Sequence, residues 1–382
     1  MKRIKALKIS SLSGLNKGDY IISLCIEHLF KINDVEITSI DIEKRSVTNN
    51  SSVDKRSSNI ALRIIRSNIY LKYFTKIFKL ETKTIPSIIK ESLKYDLIIF
   101  GGGNMLFNQS GCPYLYYFSR LVTEFKDKKR ILLYAVGVGP FELPYKKQLK
   151  NIVTHSNVIL VRDKHSHKLV NDLDIDTSQK NLSIAVDPAF ILSDIYPIKI
   201  SDKKYIAFNI IDFQVMSFHD KNFDLEKLSR NIIEIASRLE LEILLLVTSD
   251  QDIKITKKIH ELILEANIAS NYFYIRTDTD YSELYSSVKY SVASRMHSSI
   301  FSLSYAIPTV VVNWQHKVKG TLEEVFSDSA PYLISKDFEP DEVTNKLTAI
   351  QYIELEESIK SIKEKIYDQA SRIIKNEKKS FL

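Results

Sequence analysis

The stretch 294–299, SRMHSS, places an arginine, a histidine and serines where a predicted strand, 290–293, runs into a predicted helix, 296–305. Free N–H groups and the macrodipole at a helix N-terminus attract anions. A histidine near an arginine and a bound anion can act as a general acid or base near neutral pH. We therefore interpret Arg295 and His297 as candidates for anion binding and proton transfer, although a lone histidine on an apolar face is usually structural.

Further charged residues follow other predicted strands. Arg162 comes after the strand 158–161, and an arginine there can bind a carboxylate or a phosphate through two parallel hydrogen bonds. Asp163 and Asp187 also follow strands, but a helix cap and a turn residue are the plainer interpretations for them. Lys317 follows a later strand end and could contact a phosphate.

Glycine is scarce, since an average usage of about 7% would give roughly 27 residues and the chain has nine. Such a chain is expected to keep glycine where the backbone bends sharply or approaches a ligand. The loop 11–20, SLSGLNKGDY, contains Asn16, Gly18 and Asp19 before a predicted helix. It suits an anion or a sugar hydroxyl, and Asp19 can cap the helix. A purely structural turn is the alternative.

Two more glycine groups come at predicted strand ends. Gly101, Gly102 and Gly103 precede Asn104, directly after the strand 96–100. Three consecutive glycines imply positive φ or close backbone approach, with N–H groups that form an anion-binding nest. In the stretch AVGVGP, Gly137 and Gly139 would let the next helix begin beside the sheet. Tight strand-to-helix geometry without a ligand is an equal alternative for both groups.

The composition excludes several classes. Two cysteines cannot make a disulfide scaffold, and no Cys or His spacing is typical of a metal site. No P-loop is present, no apolar run approaches membrane-spanning length, and the basic start has no apolar signal region. We expect a cytoplasmic protein without a bound metal.

The net charge of +7 is concentrated in one segment. Residues 54–94 contain ten Lys and Arg against three acids, so this segment alone carries +7. Within it, 60–78 mixes apolar and basic residues at roughly helical spacing. One interpretation is a basic amphipathic helix at an anionic membrane, on the inner face of the plasma membrane, or at a lipid-linked substrate. The plainer one is a surface helix with a solvated basic face. No nucleic-acid-binding module accompanies the charge.

Strand and helix patterns alternate along almost the whole chain. Near-continuous apolar strands such as LIIF and ILLYAV are typical of a parallel sheet covered on both faces. We predict an α/β protein with two doubly wound Rossmann-like domains, 1–195 and 196–382, and a terminal amphipathic helix that includes Leu355 to Ile373. The site is expected in a cleft between the domains, at the carboxyl ends of their strands.

Eight short motifs in this order resemble those of the polysaccharide pyruvyltransferase family, over roughly residues 11–325. They are NKGD (16–19), GGG (101–103), GVGP (137–140), VRDKHS (161–166), VDPA (186–189), SRMHS (294–298), IP (307–308) and KVKG (317–320). Asn104 and Tyr20 depart from the residues common in relatives, which affects the acceptor side more than the donor side.

The resemblance implies domains arranged as in B-type glycosyltransferases and transfer of a pyruvyl group from phosphoenolpyruvate to a saccharide as a ketal. His297 would be catalytic. The residues implied for phosphoenolpyruvate binding, mainly in the second domain, are Arg295, Arg162, Ser298 and Lys317. Those implied for the acceptor and the cleft loops are Asn16, Gly18, Asp19, Gly101, Gly102, Gly103, Asn104, Gly137, Gly139 and Asp187.

Phosphoenolpyruvate carries a phosphate and a carboxylate, so its site needs several cationic or N–H donors. The scheme needs no metal and no cofactor besides this co-substrate. The acceptor class is a capsular, exopolysaccharide or cell-wall glycan precursor, which a lipid could carry. Two alternatives stay open: a sugar-nucleotide-dependent glycosyltransferase with the same architecture, and a non-catalytic saccharide-assembly protein.

Overall fold

The computed structural model describes most of the chain in ten ranges: 3–12, 17–42, 69–109, 111–175, 182–198, 202–212, 224–276, 279–314, 316–326 and 328–381. The chain forms two compact units. The first unit comprises Met1–Gly14, Ile22–Asp187 and Gln369–Leu382, and the second unit comprises Leu15–Ile21 and Pro188–Asp368.

The first unit contains a six-stranded parallel sheet in the order β2-β1-β3-β4-β5-β6. Its strands are β1 (Ile4–Ser10), β2 (Val35–Asp41), β3 (Leu97–Asn108), β4 (Arg130–Phe141), β5 (Val158–Val161) and β6 (Leu182–Ile184). The helices in this part of the chain are α1 (Lys17–Ile32), α2 (Ile69–Lys79), α3 (Ile85–Ser92), α4 (Tyr114–Phe125), α5 (Lys146–His155) and α6 (Lys164–Asn171). A π-helical stretch, Leu80–Thr84, joins α2 to α3.

The second unit has a six-stranded parallel sheet in the order β12-β11-β10-β7-β8-β9. Its strands are β7 (Tyr205–Asn209), β8 (Glu242–Val247), β9 (Ser270–Tyr274), β10 (Val288–Ala293), β11 (Thr309–Val312) and β12 (Leu333–Ile334). The remaining helices are α7 (Leu192–Ile195), α8 (Leu225–Arg238), α9 (Ile253–Glu265), α10 (Tyr281–Ser286), α11 (Met296–Ser304), α12 (His316–Glu323), α13 (Pro340–Ala349) and α14 (Tyr352–Lys379).

The predicted α/β class and the two parallel sheets are confirmed. Apolar side chains on both faces of the strands are buried, such as Ile98 and Ile99 in β3, because helices cover both faces of each sheet. A buried exception is Lys8 in β1, whose Nζ donates to Ser23 Oγ at 2.5 Å and to Glu27 Oε1 at 3.1 Å.

β3 and β4 extend beyond their predicted ends, so the prediction that the glycine groups terminate these strands is wrong. Both strands continue as a pair past the residues that bond to β1 and β5, with Asn104 opposite Gly137 and irregularities in the register. The mutual pairing satisfies backbone groups that a glycine-rich loop would expose to water. Gly102 and Gly103 have φ of 98° and 86°, so the expected positive φ is confirmed.

The two units divide between Asp187 and Pro188, whereas the sequence predicts a boundary at 195/196. The reason is local, because the segment after Asp187 packs on the second unit and Ser193 Oγ donates to Ser304 O at 2.6 Å. The predicted amphipathic terminal helix is α14, and its final turns belong to the first unit, where Arg130 Nε bonds Glu377 Oε2 at 2.5 Å. Within the described ranges, no helix is long and apolar enough to cross a membrane.

Candidate active site

The connection from β10 to α11 is held by the neighbouring strand β7. Asn209, the last residue of β7, accepts a hydrogen bond from Arg295 N at 3.0 Å and donates to Leu246 O at 2.9 Å. The Ser294 N–H donates to Asn209 O at 2.8 Å. Arg295 is the N-cap residue of α11 in extended backbone conformation. Three adjacent strands therefore fix the turn that presents the candidate residues.

The guanidinium of Arg295 is held by a buried carboxylate. Its Nε and Nη2 donate to Asp252 Oδ2 at 2.5 Å and Oδ1 at 2.8 Å, and Nη2 lies 3.3 Å from Gln251 Oε1. Asp252 is fully buried, and burial raises its pKa while Arg295 acts against that rise. Asp252 therefore occupies the side of the guanidinium that carries Nε and Nη2, whereas Nη1 takes no part in these bonds.

His297 lies in the first turn of α11 and is 7% exposed. Its ring is 6.4 Å from the Phe301 ring, centroid to centroid, at 21°. On another side it lies against Gly18 in the first turn of α1, where a Cβ atom would be 1.9 Å from His297 Nδ1. The first turns of two helices therefore meet at one imidazole, and each carries backbone N–H groups and the positive end of a helix dipole.

The first turn of α1 belongs to the second unit and bonds to other loops of that unit. Lys17 N donates to Thr248 O at 3.1 Å, and Lys17 Nζ lies 4.0 Å from Asp250 Oδ1 and 5.7 Å from the centroid of the Tyr274 ring. Asp19 lies inside this turn, so the prediction that Asp19 caps the helix is wrong, because α1 begins two residues earlier, at Lys17.

Two buried hydroxyl groups accompany His297. The Oγ atoms of Ser294 and Ser298 are shielded from solvent and have no hydrogen-bond partner among the residues that the structure describes. A buried hydroxyl without a partner is costly in a folded protein. These atoms are consistent with a polar ligand that reaches the start of α11.

Two further predicted residues are Lys317 and Asn16. Lys317 lies in α12, after β11, as the sequence predicts, and Asn16 lies outside the described residues. Sequence reasoning missed Asn209, Asp252 and Lys17. The position of Asn209 at a strand end was a usable signal, whereas nothing in the sequence near Asp252 indicates its partner.

A separate group of predicted residues lies in the first unit. Arg162 follows β5, is 5% exposed, and its Nη2 would be 2.9 Å from a Cβ at Gly137. Asn104 Nδ2 donates to Gly139 O at 2.9 Å. The Nε of Arg162, 3.5 Å from Asp163 Oδ2, makes no hydrogen bond within the described part of the chain. The structure therefore brings Asn104, Gly137, Gly139 and Arg162 together.

The remaining predicted residues of the first unit have different surroundings. Asp163 caps α6 by accepting from Ser166 N at 2.7 Å, which confirms the interpretation as a cap. Gly101 O accepts from Ser10 Oγ at 2.5 Å, which joins the first of the three glycines to the end of β1. Asp187 is 3% exposed and is the last residue of its segment in the first unit.

Two parallel-sheet α/β units with loops at the carboxyl ends of their strands define the fold class of the B-type glycosyltransferases. The UDP-GlcNAc 2-epimerase from Neisseria meningitidis bound to UDP-GlcNAc has a TM-score of 0.54 and 13% identity, with 98% of this chain and 99% of that chain covered. The UDP-GlcNAc 2-epimerase from Methanocaldococcus jannaschii has a TM-score of 0.56 and 10% identity, with coverages of 90% and 92%. At such identities the likeness shows the fold alone.

A family model narrows the class. The model of the polysaccharide pyruvyl transferases matches residues 16–316, and the chain belongs to this family. The matched range includes both the residues around His297 and those around Arg162. Seven of the eight sequence motifs lie in the matched range and KVKG (317–320) lies beyond it, and the family that the motifs resemble is confirmed.

Proposed function

We propose that this protein transfers the pyruvyl group of phosphoenolpyruvate to two hydroxyl groups of a saccharide, with formation of a ketal and release of phosphate. Family membership supports the transferase class and a saccharide acceptor. The observation that carries the proposal is the buried His297 at the meeting of the first turns of α1 and α11, beside Arg295. This setting offers a proton-transfer group among N–H donors suited to an anion.

The reaction balances in two additions. A proton adds to the methylene carbon of phosphoenolpyruvate, and a saccharide hydroxyl attacks the adjacent carbon and loses its own proton. Phosphate then leaves, and a second hydroxyl attacks the same carbon and loses its proton. We assign one of these proton transfers to His297, because its ring is held in place by Gly18 and Phe301.

Anion binding follows from the neighbouring groups. With Nε and Nη2 on Asp252, Arg295 contributes its fixed positive charge and Nη1 to the phosphate or the carboxylate. Ser298 Oγ and the N–H groups at the start of α11 supply further donors. We also propose Lys317 and Arg162 as additional anion contacts. The first unit is the proposed acceptor side. A capsular, exopolysaccharide or cell-wall precursor is the proposed acceptor.

The test incubates purified protein with phosphoenolpyruvate and a panel of saccharides, and measures released phosphate and the methyl signal of the ketal by NMR. His297→Gln should reduce the rate by about 100-fold or more. The control His260→Ala removes an imidazole on α9 that is bonded to Ser270, and it should leave the rate near that of the parent. Turnover of sugar nucleotides without ketal formation would favour the glycosyltransferase alternative. No turnover with either donor, together with saccharide binding, would favour a non-catalytic role.

A further inference from the structure

Helix α2 exposes a stripe of large apolar side chains. Tyr70, Phe74 and Phe78 are 60%, 63% and 73% exposed, and Leu71 between them is 43% exposed. Residues four apart lie on one face of a helix, so the three rings form a continuous row. A concentrated apolar surface of this kind marks an interaction site more often than scattered single residues do.

The opposite side of this segment is attached to the first unit. Tyr73 and Ile77 are half-buried, and Leu80 and Thr84 in the following π-helical stretch are buried. Glu81 accepts hydrogen bonds from Tyr116 Oη at 2.7 Å and Arg120 Nε at 3.0 Å on α4. The attachment turns the row of Tyr70, Phe74 and Phe78, called the aromatic stripe below, away from the core.

Positive charge accompanies the aromatic stripe. Residues 69–94 contain six lysines and two glutamates, and the glutamates already pair with Arg120 and Lys94. Lys76 and Lys79 line a cavity of about 270 Å³ together with Leu80, Thr84, Cys112, Pro113 and Tyr114. Basic groups therefore flank both the aromatic stripe and a concavity next to it.

We propose that the exposed face of α2 binds the surface of a bilayer that contains anionic lipids. The aromatic rings would enter the boundary between headgroups and acyl chains, and the lysines would attract lipid phosphates. A symmetric contact with a second copy of the chain fits less well, because it would bring the lysines of two copies together. Membrane binding would follow from the charge and exposure of α2, independently of the chemistry proposed for His297.

The test is co-sedimentation of the full chain with phosphatidylcholine vesicles that contain or lack phosphatidylglycerol. Binding is expected only with the anionic lipid and should weaken as salt is added. The double variant Phe74→Ser/Phe78→Ser should lower the vesicle affinity by about tenfold or more. Lys76→Glu/Lys79→Glu should lower it by a similar factor. Ile353→Ser, at a position 71% exposed on α14, is the matched control and should bind as the parent does.

Three outcomes would overturn the proposal. The first is no binding of the parent chain to anionic vesicles, and the second is equal binding by the parent and the Phe74→Ser/Phe78→Ser variant, with circular dichroism showing both folded. The third is a dimer in light scattering that this variant abolishes, since the aromatic stripe would then be a contact between copies. The variants change positions on α2 that the enzymatic proposal does not use, so ketal formation with a free saccharide should stay near the parent rate. This measurement keeps the test separate from that of the enzymatic proposal.

Discussion

His297 and Gly18 are in contact so close that any larger residue at position 18 would overlap the imidazole: a Cβ would lie 1.9 Å from Nδ1 and 2.2 Å from Cγ. Gly18 lies inside a regular helix, so what this position requires is space for the ring. The glycine allows the start of α1 to meet the start of α11, although the two segments are almost 280 residues apart in the sequence.

Gly18→Ala should therefore displace His297 or the start of α1. We expect a loss of about 1–3 kcal/mol in the free energy of unfolding and a fall in ketal formation of at least about tenfold. Chemical denaturation and phosphate release measure the two effects. Gly320→Ala is the stability control, because a Cβ there meets nothing within 4 Å and alanine is the better helix former by about 1 kcal/mol. Equal stability changes in both variants would contradict the packing argument.

Arg295 and Asp252 should behave as one unit in stability. Arg295→Met leaves the fully buried Asp252 carboxylate without its charged partner, which should cost about 3 kcal/mol or more. The double variant Arg295→Met/Asp252→Asn should be less destabilised than Arg295→Met alone, because no buried charge remains. Denaturation of the parent, both single variants and the double variant gives the coupling, and additive effects would show that the pair is not coupled.

The stability of Arg295→Met should also depend on pH. Burial already raises the pKa of Asp252, and Arg295 opposes that rise, so removing the arginine raises the pKa further. When the pKa of a carboxyl is higher in the folded than in the unfolded state, the free energy of unfolding falls as pH rises from the unfolded-state pKa through the folded-state pKa. The deficit of Arg295→Met relative to the parent should therefore shrink as pH falls toward the unfolded-state pKa of the carboxyl, about 3.9. A deficit that stays constant with pH would contradict this assignment.

Lys8 should make the parent more stable at alkaline pH. Burial lowers its pKa to about 8, although Glu27 acts in the opposite direction. The unfolded chain then binds more protons between pH 8 and 10.5, so the free energy of unfolding should rise by about 2 kcal/mol between pH 7.5 and 9.5. Lys8→Met should lack this rise, and the difference between the two proteins removes the contribution of tyrosine titration. Parallel pH profiles would show that Lys8 keeps its ordinary pKa.

In the first unit, Gly137 should be as intolerant of a larger side chain as Gly18 is in the second unit. A Cβ at this position would be 2.4 Å from Asn104 Oδ1 and 2.9 Å from Arg162 Nη2. Gly137→Ala should cost about 1–3 kcal/mol in the free energy of unfolding. Asn104→Ala removes the nearer obstacle, so the double variant should be less unstable than the sum of the single changes. Simple additivity in denaturation would mean that Asn104 does not limit the space at Gly137.

Apolar runs and their spacing predicted most strands well, since periodicity reports which faces of an element are buried. β5, for example, has the predicted bounds, 158–161. The ends of β3 and β4 could not be predicted in this way, because glycine-rich sequence resembles a loop and only pairing between the two strands makes it extended. The start of α1 was missed for a related reason, since Lys17 is held by a backbone bond to Thr248, far away in the sequence.

The sequence by itself determined the alternation of strands and helices, the two parallel sheets, and the position of Arg295 and His297 where a strand meets a helix. These features depend on residue type and local spacing. Only the tertiary structure decided that Arg295 turns two of its nitrogen atoms to Asp252 and that His297 lies against Gly18. Those contacts depend on how segments distant in the sequence pack together, which the types of the individual residues do not specify.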